Sequence, residues 1–544
     1  MKRLFRLRLV AWIIVSCLCL DAPDSVCGQA YRERWRPQLH FSPAKNWTND
    51  PNGMVYYDGE YHLFYQFNPF GDKWGHMSWG HAVSPDLVHW QHLPVALPED
   101  KNVMIFSGSA VVDWKNSSGF GKDGKPPLVA IYTGHYTDRP LQNQHIAYSN
   151  DSGRTWTKYG GNPVLDIKEK DFRDPKVFWH AATNHWVMVV AWPVQRKVRF
   201  YDSVDLKSWN HLSDFGPAGS VEGVWECPDL FPLATGEKTK WVLIVNTSSG
   251  APAGGSGCQY FVGDFDGRSF ASDSSPPKER SSQKSEPALW LDHGPDCYAA
   301  VTWSDVPPRD GRRLALGWMS NWQYANDVPT SPWRGAMTMP RELRLQSTAD
   351  GLRLIQRPVK EFEKLRGTLR RFMGGTVEEA NAWIKRNGIN GAPLEMVLEF
   401  APASKGVAGL KLFKSAKAET VLSIDRGRGR ISIDRTRSGD VGFHPKFSGV
   451  SAVPLSKPDG RVRLHVFLDA CSIEVFVNDG EQVLTCLVFP SEESRALEFF
   501  GPDESPVVSA LDVWPLTSCW KAADRPPQGA LLDGNRSSPV EEKD

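Results

Sequence analysis

Residues 172–209 contain one complete copy of the pattern that decides the fold, FRDPKVFWHAATNHWVMVVAWPVQRKVRFYDSVDLKSW. A short polar motif, FRDP, opens the copy, and apolar segments separated by turn residues follow it. The copy closes on an aromatic residue, Trp209. Short apolar runs that alternate with turn residues are typical of consecutive antiparallel strands. The stretch therefore predicts one small antiparallel sheet.

Comparable units recur along the first two thirds of the chain. Their opening motifs contain the marker residues Asp50, Ser107, Asp174, Glu226 and Asp296, which are spaced about 62 residues apart on average. Four strands with their turns fit that period, which is typical of a propeller blade. We therefore expect an all-β protein in which residues 31–345 form a five-bladed β-propeller. Since the first strand of every blade lines the central axis, the five motifs should converge there.

The rest of the chain differs in pattern from these repeats. Residues 346–366 are expected to connect two domains and to include a short strand. Residues 367–520 again alternate strands with Asn-Asp-Gly turns, which predicts a C-terminal β-sandwich. The polar tail at 521–544 is expected to be disordered.

Residues 1–30 resemble an export signal. A basic start precedes an apolar run at 9–20, which is too short to span a bilayer. Gly28 and Ala30 are small residues at the two positions that determine cleavage, so we expect a signal peptide cut after Ala30 and a secreted or periplasmic protein. Residues 14–17 loosely resemble a lipoprotein cleavage box, which makes a lipid-anchored form the alternative.

Charge and cysteine content exclude several classes of partner. Lys plus Arg and Asp plus Glu each total 63, so the formal net charge is zero. This argues against a nucleic-acid partner, which requires a basic face. No other apolar run reaches about 18 residues, so we expect no membrane span. No C-x-x-C pair occurs, and we expect neither a metal nor a cofactor. The oligomeric state is left open.

Three acidic residues, Asp50, Asp174 and Glu226, lie in the motifs that open the first, third and fourth units. Facing carboxylates repel one another and cost desolvation energy, so a fold that brings three together points to catalysis. Glycoside cleavage needs two flanking carboxyl groups. One protonates the leaving oxygen, and the other attacks or stabilises the positive charge that develops on the sugar. The pattern therefore predicts a glycosidase site on the propeller axis.

Four motifs carry a more specific resemblance: WTNDPNG (47–53), FSGS (106–109), FRDP (172–175) and WECPDL (225–230). Together they resemble glycoside hydrolase family 32, which contains invertases, levanases and inulinases. The segment NWQYANDVPTSPWR (321–334) is most similar to exo-acting fructan hydrolases. The resemblance implies a propeller followed by a sandwich, and a retaining exo-β-fructosidase. Such an enzyme would release terminal fructose from levan, inulin and sucrose through a fructosyl-enzyme intermediate.

The resemblance also implies roles for individual residues. Asp50 matches the nucleophile, Glu226 the acid/base and Asp174 the stabiliser of the transition state. Arg173 is expected to bind the sugar hydroxyls beside Asp174. Further substrate-binding positions are implied at Asn49, Gln66, Trp74, Ser107 and Trp322. For the two tryptophans, packing between blades is the alternative role.

Two other functions stay open at this point. A fructosyltransferase of the same fold would share the fructosyl intermediate and differ only in the acceptor. A non-catalytic fructan-binding propeller should have lost one of the three acids, and all three are present. Cys227, next to Glu226, is expected to be a small buried filler, with an influence on Glu226 as the alternative role. Asp469 and Glu474 are expected on a solvated face of the sandwich.

Overall fold

The computed structural model describes residues 31–273, 288–402, 406–456, 460–502 and 507–520. The signal peptide predicted at 1–30 and the tail predicted at 521–544 lie outside these residues. The expected all-β class is confirmed, since the described ranges contain a single α-helix and otherwise strands and short 3₁₀ turns. Within these ranges, every helix is too short or too polar to cross a membrane.

Five antiparallel sheets follow one another along the chain up to residue 358. The first contains β1 (Asn46–Tyr57), β2 (Glu60–Asn68), β3 (Ser78–Ser84) and β4 (Gln91–Leu97). The second contains β5 (Val103–Val112), β6 (Leu128–Tyr136), β7 (Gln142–Ser149) and β8 (Thr157–Lys158). The third contains β9 (Arg173–His180), β10 (His185–Trp192), β11 (Lys197–Ser203) and β12 (Asn210–Phe215). The fourth contains β13 (Trp225–Thr235), β14 (Lys238–Thr247), β15 (Gly257–Phe265) and β16 (Phe270–Ser272), with β17 (Leu289–Trp290) paired to β15.

The fifth sheet uses strands that are not all consecutive. It contains β18 (Tyr298–Thr302), β19 (Arg313–Trp318), β21 (Arg341–Thr348) and β22 (Gly351–Pro358). The intervening β20 (Trp333–Arg334) pairs in parallel with β1 and so joins this region to the first sheet. The region expected to be a connector, 346–366, supplies β22 and the 3₁₀ helix Lys360–Leu365, because a tight turn returns the chain from β21 onto the same sheet.

The first strands of the five sheets lie next to one another. β1 contacts β5, β5 contacts β9, β9 contacts β13, β13 contacts β18, and β18 contacts β1. Each of them has a break in its pairing register. In the first four the break falls at the polar motif, as between Thr48 and Pro51 or between Glu226 and Asp229, and in the fifth it follows the motif, between Tyr298 and Val301. Proline has no N–H to donate to a strand ladder, so the Asp-Pro and Cys-Pro pairs are well accommodated in such bulges. A bulge also redirects the side chains around it.

Residues 370–515 form two further antiparallel sheets around one hydrophobic core. The six-stranded sheet contains β23 (Arg370–Phe372), β24 (Leu394–Phe400), β29 (Val462–Asp469), β30 (Ser472–Val477), β31 (Gln482–Leu487) and β33 (Val508–Pro515). The five-stranded sheet contains β25 (Val407–Lys414), β26 (Glu419–Asp425), β27 (Arg430–Arg437), β28 (Val450–Pro454) and β32 (Ala496–Phe500). The helix α1 (Val377–Arg386) begins at a capping box formed by Thr376 and Glu379 and packs against β32. The remaining 3₁₀ turns are Pro193–Gln195, Ala325–Asp327 and Asn478–Gly480.

A buried ionic cluster joins these two sheets to the first five. The ring of His40 lies between Asp469, at 2.6 Å, and Glu474, at 2.9 Å, and Arg341 donates to Glu474 over 2.7 Å. The two carboxylates raise the pKa of His40 to about 9, although burial alone would lower it. The expectation that Asp469 and Glu474 face solvent is therefore wrong, since both are fully buried. Alternation along a strand shows which residues share a face, but not what covers that face.

Candidate active site

The structure brings Asp50, Asp174 and Glu226 to the same end of three of the five first strands. Two intervening side chains connect them. The Cys227 thiol lies 3.5 Å from Asp50 Oδ2 and 3.6 Å from Asp174 Oδ2. The Arg173 guanidinium binds Glu226 and reaches within 4.0 Å of Asp174. The predicted convergence of the three acids is thus present as a continuous network of contacts.

The backbone around the acids is strained. Asp174 and Cys227 have φ values of +67° and +43°, which place both in the left-handed region that non-glycine residues seldom adopt. Ala299, in β18, the first strand of the fifth sheet, has a φ of +51°. Strain of this kind persists only where surrounding structure enforces it, and it clusters at functional sites.

Asp50 is held in one orientation by three donors. The Ser107 hydroxyl donates to Oδ2 over 2.6 Å, and the Asn49 amide donates to Oδ1 over 3.0 Å. The Cys227 thiol is the third donor, on Oδ2. Burial raises the pKa of Asp50, and the charge of Glu226 adds to this, while the hydrogen bonds from Ser107 and Asn49 oppose it. The result is a buried carboxylate with fixed geometry, which suits a nucleophile that attacks from one direction.

Glu226 is more open to solvent than Asp50 and is fixed by two different groups. Arg173 donates to Glu226 Oε1 from Nε over 3.0 Å and from Nη2 over 2.8 Å. The hydroxyl of Tyr298 donates to Oε2. Burial and the neighbouring Glu226 raise the pKa of Tyr298 well above its usual value, so this hydroxyl remains a donor. Arg173 is itself positioned by Gln142 and Asp171, each at 3.2 Å.

Among the three acids, Asp174 has the most clearly shifted pKa. Its Oδ2 accepts the Cys227 backbone N–H over 2.9 Å. Burial raises the pKa of Asp174 to about 7; Arg173 opposes this shift, whereas Glu226 and Asp50 reinforce it. A carboxyl whose proton affinity is set by burial and two like charges marks a functional cluster.

The six predicted substrate-binding residues are placed at different distances from the acids. Asn49, Ser107 and Arg173 contact a carboxylate directly. The Gln66 amide instead donates to Asn52 over 2.9 Å and to the Ile105 carbonyl over 3.0 Å.

The two predicted tryptophans lie further out. Trp322 stacks on Trp47 with 6.0 Å between ring centroids, and the Trp47 indole donates to Asn49 over 2.7 Å. Trp322 therefore belongs to the wall beside Asp50. The Trp74 ring is 41% exposed and stands edge-on to Phe106 at 6.0 Å. It lies at the rim and not against the acids.

Three residues of the site were missed or undervalued in the sequence. Tyr298 binds Glu226, and its only signal was its position two residues after the marker Asp296. Gln142 had no signal, since it is the first residue of β7 and lies outside the recurring motifs. Cys227 is small and buried, as expected of a filler, but its thiol also bridges two carboxylates.

Comparison with known proteins agrees with this geometry. Residues 40–358 match the N-terminal domain model of glycosyl hydrolases family 32, and residues 361–515 match the C-terminal domain model of the same family. The chain is 48% identical over 532 residues to a levanase of Bacillus subtilis, covering 95% of this chain and 76% of the relative.

Solved structures give the same result. The exo-inulinase from Aspergillus awamori, known from a crystal structure, is 39% identical in sequence to this chain. The two structures superpose with a TM-score of 0.81, and the match covers 90% of this chain and 100% of the inulinase chain. A β-fructofuranosidase from Schwanniomyces occidentalis in complex with fructosyl-erythritol is 32% identical with a TM-score of 0.78, over 91% and 99% of the two chains. The chain belongs to glycosyl hydrolase family 32. It is a glycoside hydrolase.

Proposed function

We propose that this protein is an exported, retaining exo-β-fructosidase that hydrolyses terminal fructose from levan- and inulin-type fructans and from sucrose. The observation that carries the proposal is the pair of differently held carboxylates. Asp50 is buried and fixed by Ser107 and Asn49, whereas Glu226 is more exposed and held by Arg173 and Tyr298. The levanase, exo-inulinase and β-fructofuranosidase among its relatives support the choice of fructosides as substrates.

In the proposed reaction, Asp50 attacks the anomeric carbon of the terminal fructose while Glu226 protonates the departing oxygen. Glu226 then removes a proton from water, and the hydroxide releases fructose from Asp50. Asp174 binds sugar hydroxyls and strengthens its hold as the ring flattens. Arg173 neutralises part of the charge on Glu226 and Asp174, which lets three acids share one small site.

We further propose that the first five sheets are the blades of a β-propeller. The propeller expected over 31–345 then extends to residue 358, because β22 completes its fifth sheet, and the chain leads from there into a β-sandwich over 367–520. The support is the circular order of contacts among the five first strands. Residues 1–30 are proposed to be a signal peptide that directs export. No membrane span and no nucleic-acid partner enter this proposal.

An experiment with levan, inulin, sucrose and raffinose tests the activity. A site that closes around one chain end yields free fructose from the earliest time points, without a ladder of oligosaccharides. Two successive displacements at the same carbon retain configuration, so fructose appears first as the β-anomer in NMR spectra recorded before mutarotation. Early oligofructose would contradict exo-attack, and the α-anomer would contradict a nucleophilic Asp50.

The same experiment distinguishes this function from the two alternatives. Growth of fructosyl oligomers at high sucrose, without matching free fructose, would favour a fructosyltransferase. Binding of fructans without any product would favour a non-catalytic binding protein.

A further inference from the structure

A cavity of about 480 Å³ lies at the other end of the first strands, away from the three acids. Asp174 and Glu226 lie at the starts of β9 and β13, and the cavity is lined by later residues of these strands and by Val111 and Val112 at the end of β5. Its lining includes six aromatic side chains: Trp114, Phe178, Trp179, Trp186, Phe231 and Trp241. A volume in this range suits a small organic ligand or a few sugar units.

Trp114 is presented to solvent in a fixed orientation. Its side chain is 63% exposed, although large apolar side chains are usually covered. The indole Nε1 donates to Asp305 Oδ1 over 2.9 Å, and Asp305 also accepts the Val112 N–H over 2.9 Å. A ring held in this way loses little further freedom when a ligand stacks on it.

The charged groups that line the cavity already have partners, which favours a neutral ligand. The Lys115 ammonium donates to Asn184 and lies 4.3 Å from the centre of the Trp179 ring. Lys176 pairs with Asp229 at 3.2 Å. The Arg313 guanidinium lies 5.2 Å from the centre of the Phe231 ring.

The exposed face of Trp114 indicates the class of ligand. An aromatic ring presented to solvent suits the apolar C–H face of a sugar ring. The Ser304 hydroxyl also belongs to the lining, but its oxygen is enclosed by protein and is not offered to a ligand.

This cavity is distinct from the space beside the acids. A void of about 20 Å³, lined by Ser107, Asp174 and Cys227 among others, lies between the strands, and Lys176 lines both it and the large cavity. A void of that size has room for about one water molecule. A sugar in the aromatic cavity therefore cannot reach the carboxylates through the strands.

We propose that the aromatic cavity is a second, non-catalytic binding site for a neutral oligosaccharide, and that its ligand is a segment of the fructan chain. This choice of ligand rests on the proposed function. The site holds a polymer by segments remote from the chain end that is cleaved, and it contributes nothing to the hydrolysis of a disaccharide. Polymer affinity then exceeds what one terminal sugar provides.

Affinity electrophoresis of the full chain tests this directly. The inactive Asp50→Asn variant migrates through gels containing levan or inulin, with saturating fructose added to occupy the proposed active site. Retardation by the polymer is expected to persist. Adding Trp114→Ala should weaken it at least about tenfold, whereas adding Met373→Ala should not, because Met373 is equally apolar and 81% exposed but lies in the second part of the chain.

Steady-state kinetics of the active enzyme carrying only Trp114→Ala provide a second test. Trp114→Ala should raise KM for levan or inulin several-fold and leave kcat/KM for sucrose within about twofold. Complete loss of retardation with fructose, or equal retardation with and without Trp114, would overturn the proposal. So would a monomer–dimer change in sedimentation caused by Trp114→Ala, since the cavity would then be covered by a second copy of the chain. Failure of the proposed function shows separately, as absence of fructose release by the unsubstituted enzyme.

Discussion

Replacing Asp174 by asparagine should stabilise the protein in alkaline solution while removing most of its activity. The pKa of Asp174 in the folded protein, about 7, lies above its ordinary value of 3.8, so folding favours the protonated form. The corresponding stability is complete below about pH 4 and is lost as the pH rises through about 7. An amide stays neutral throughout, and its oxygen can still accept the Cys227 N–H. Asparagine is also among the residues that best tolerate the positive φ at this position.

The size of the effect follows from the two pKa values. Each tenfold change in proton affinity is worth about 1.4 kcal/mol, so ionising Asp174 in the folded protein costs up to about 4 kcal/mol. This is an upper bound on the gain, because a buried amide also pays for desolvation. Thermal melts followed by circular dichroism should show Asp174→Asn with a Tm several degrees above the parent at pH 8 and close to it at pH 4. Fructan hydrolysis should fall at least about 100-fold.

Asp264→Asn is the matched control. It removes the same charge from a side chain that is 68% exposed and paired with Lys240 on the surface. Its effect on Tm should be small at both pH values. A stabilisation by Asp174→Asn that is equal at pH 4 and pH 8, or a destabilisation at pH 8, would refute the reasoning.

Two further predictions concern the acids and the second part of the chain. Glu226→Gln should abolish fructan hydrolysis but relatively spare a fructosyl substrate whose leaving group needs no proton, whereas Asp50→Asn should be inactive on both substrates. Steady-state kinetics on the two substrates test this. Equal losses of activity for Glu226→Gln on both would contradict its role as the acid. A 31–366 fragment should aggregate in size-exclusion chromatography, because Phe467, Phe476 and Val483 share a hydrophobic cluster with Phe41 and Met339. A soluble and fully active fragment would show that this interface is dispensable.

Much of the site was readable in the sequence because its acids lie in recurring motifs. Spacing near 62 residues predicted that Asp50, Asp174 and Glu226 begin equivalent strands, and equivalent strands place equivalent positions at one end. The three acids do lie there, linked through Cys227 and Arg173. Periodicity also established the all-β class, since a strand's pattern of apolar residues depends on local geometry that repeats along the chain.

Tertiary structure alone decided which groups complete each contact. Tyr298 reaches Glu226 across 72 positions of sequence, and His40 lies between two carboxylates more than 400 positions away. No local pattern encodes such partners, because a side chain's environment is set by whichever strand packs against it. The same holds for the aromatic cavity around Trp114. The sequence by itself determined the class of fold and which three acids come together, whereas the orientation, proton affinity and partners of those acids depend on burial and on charges brought together only by folding.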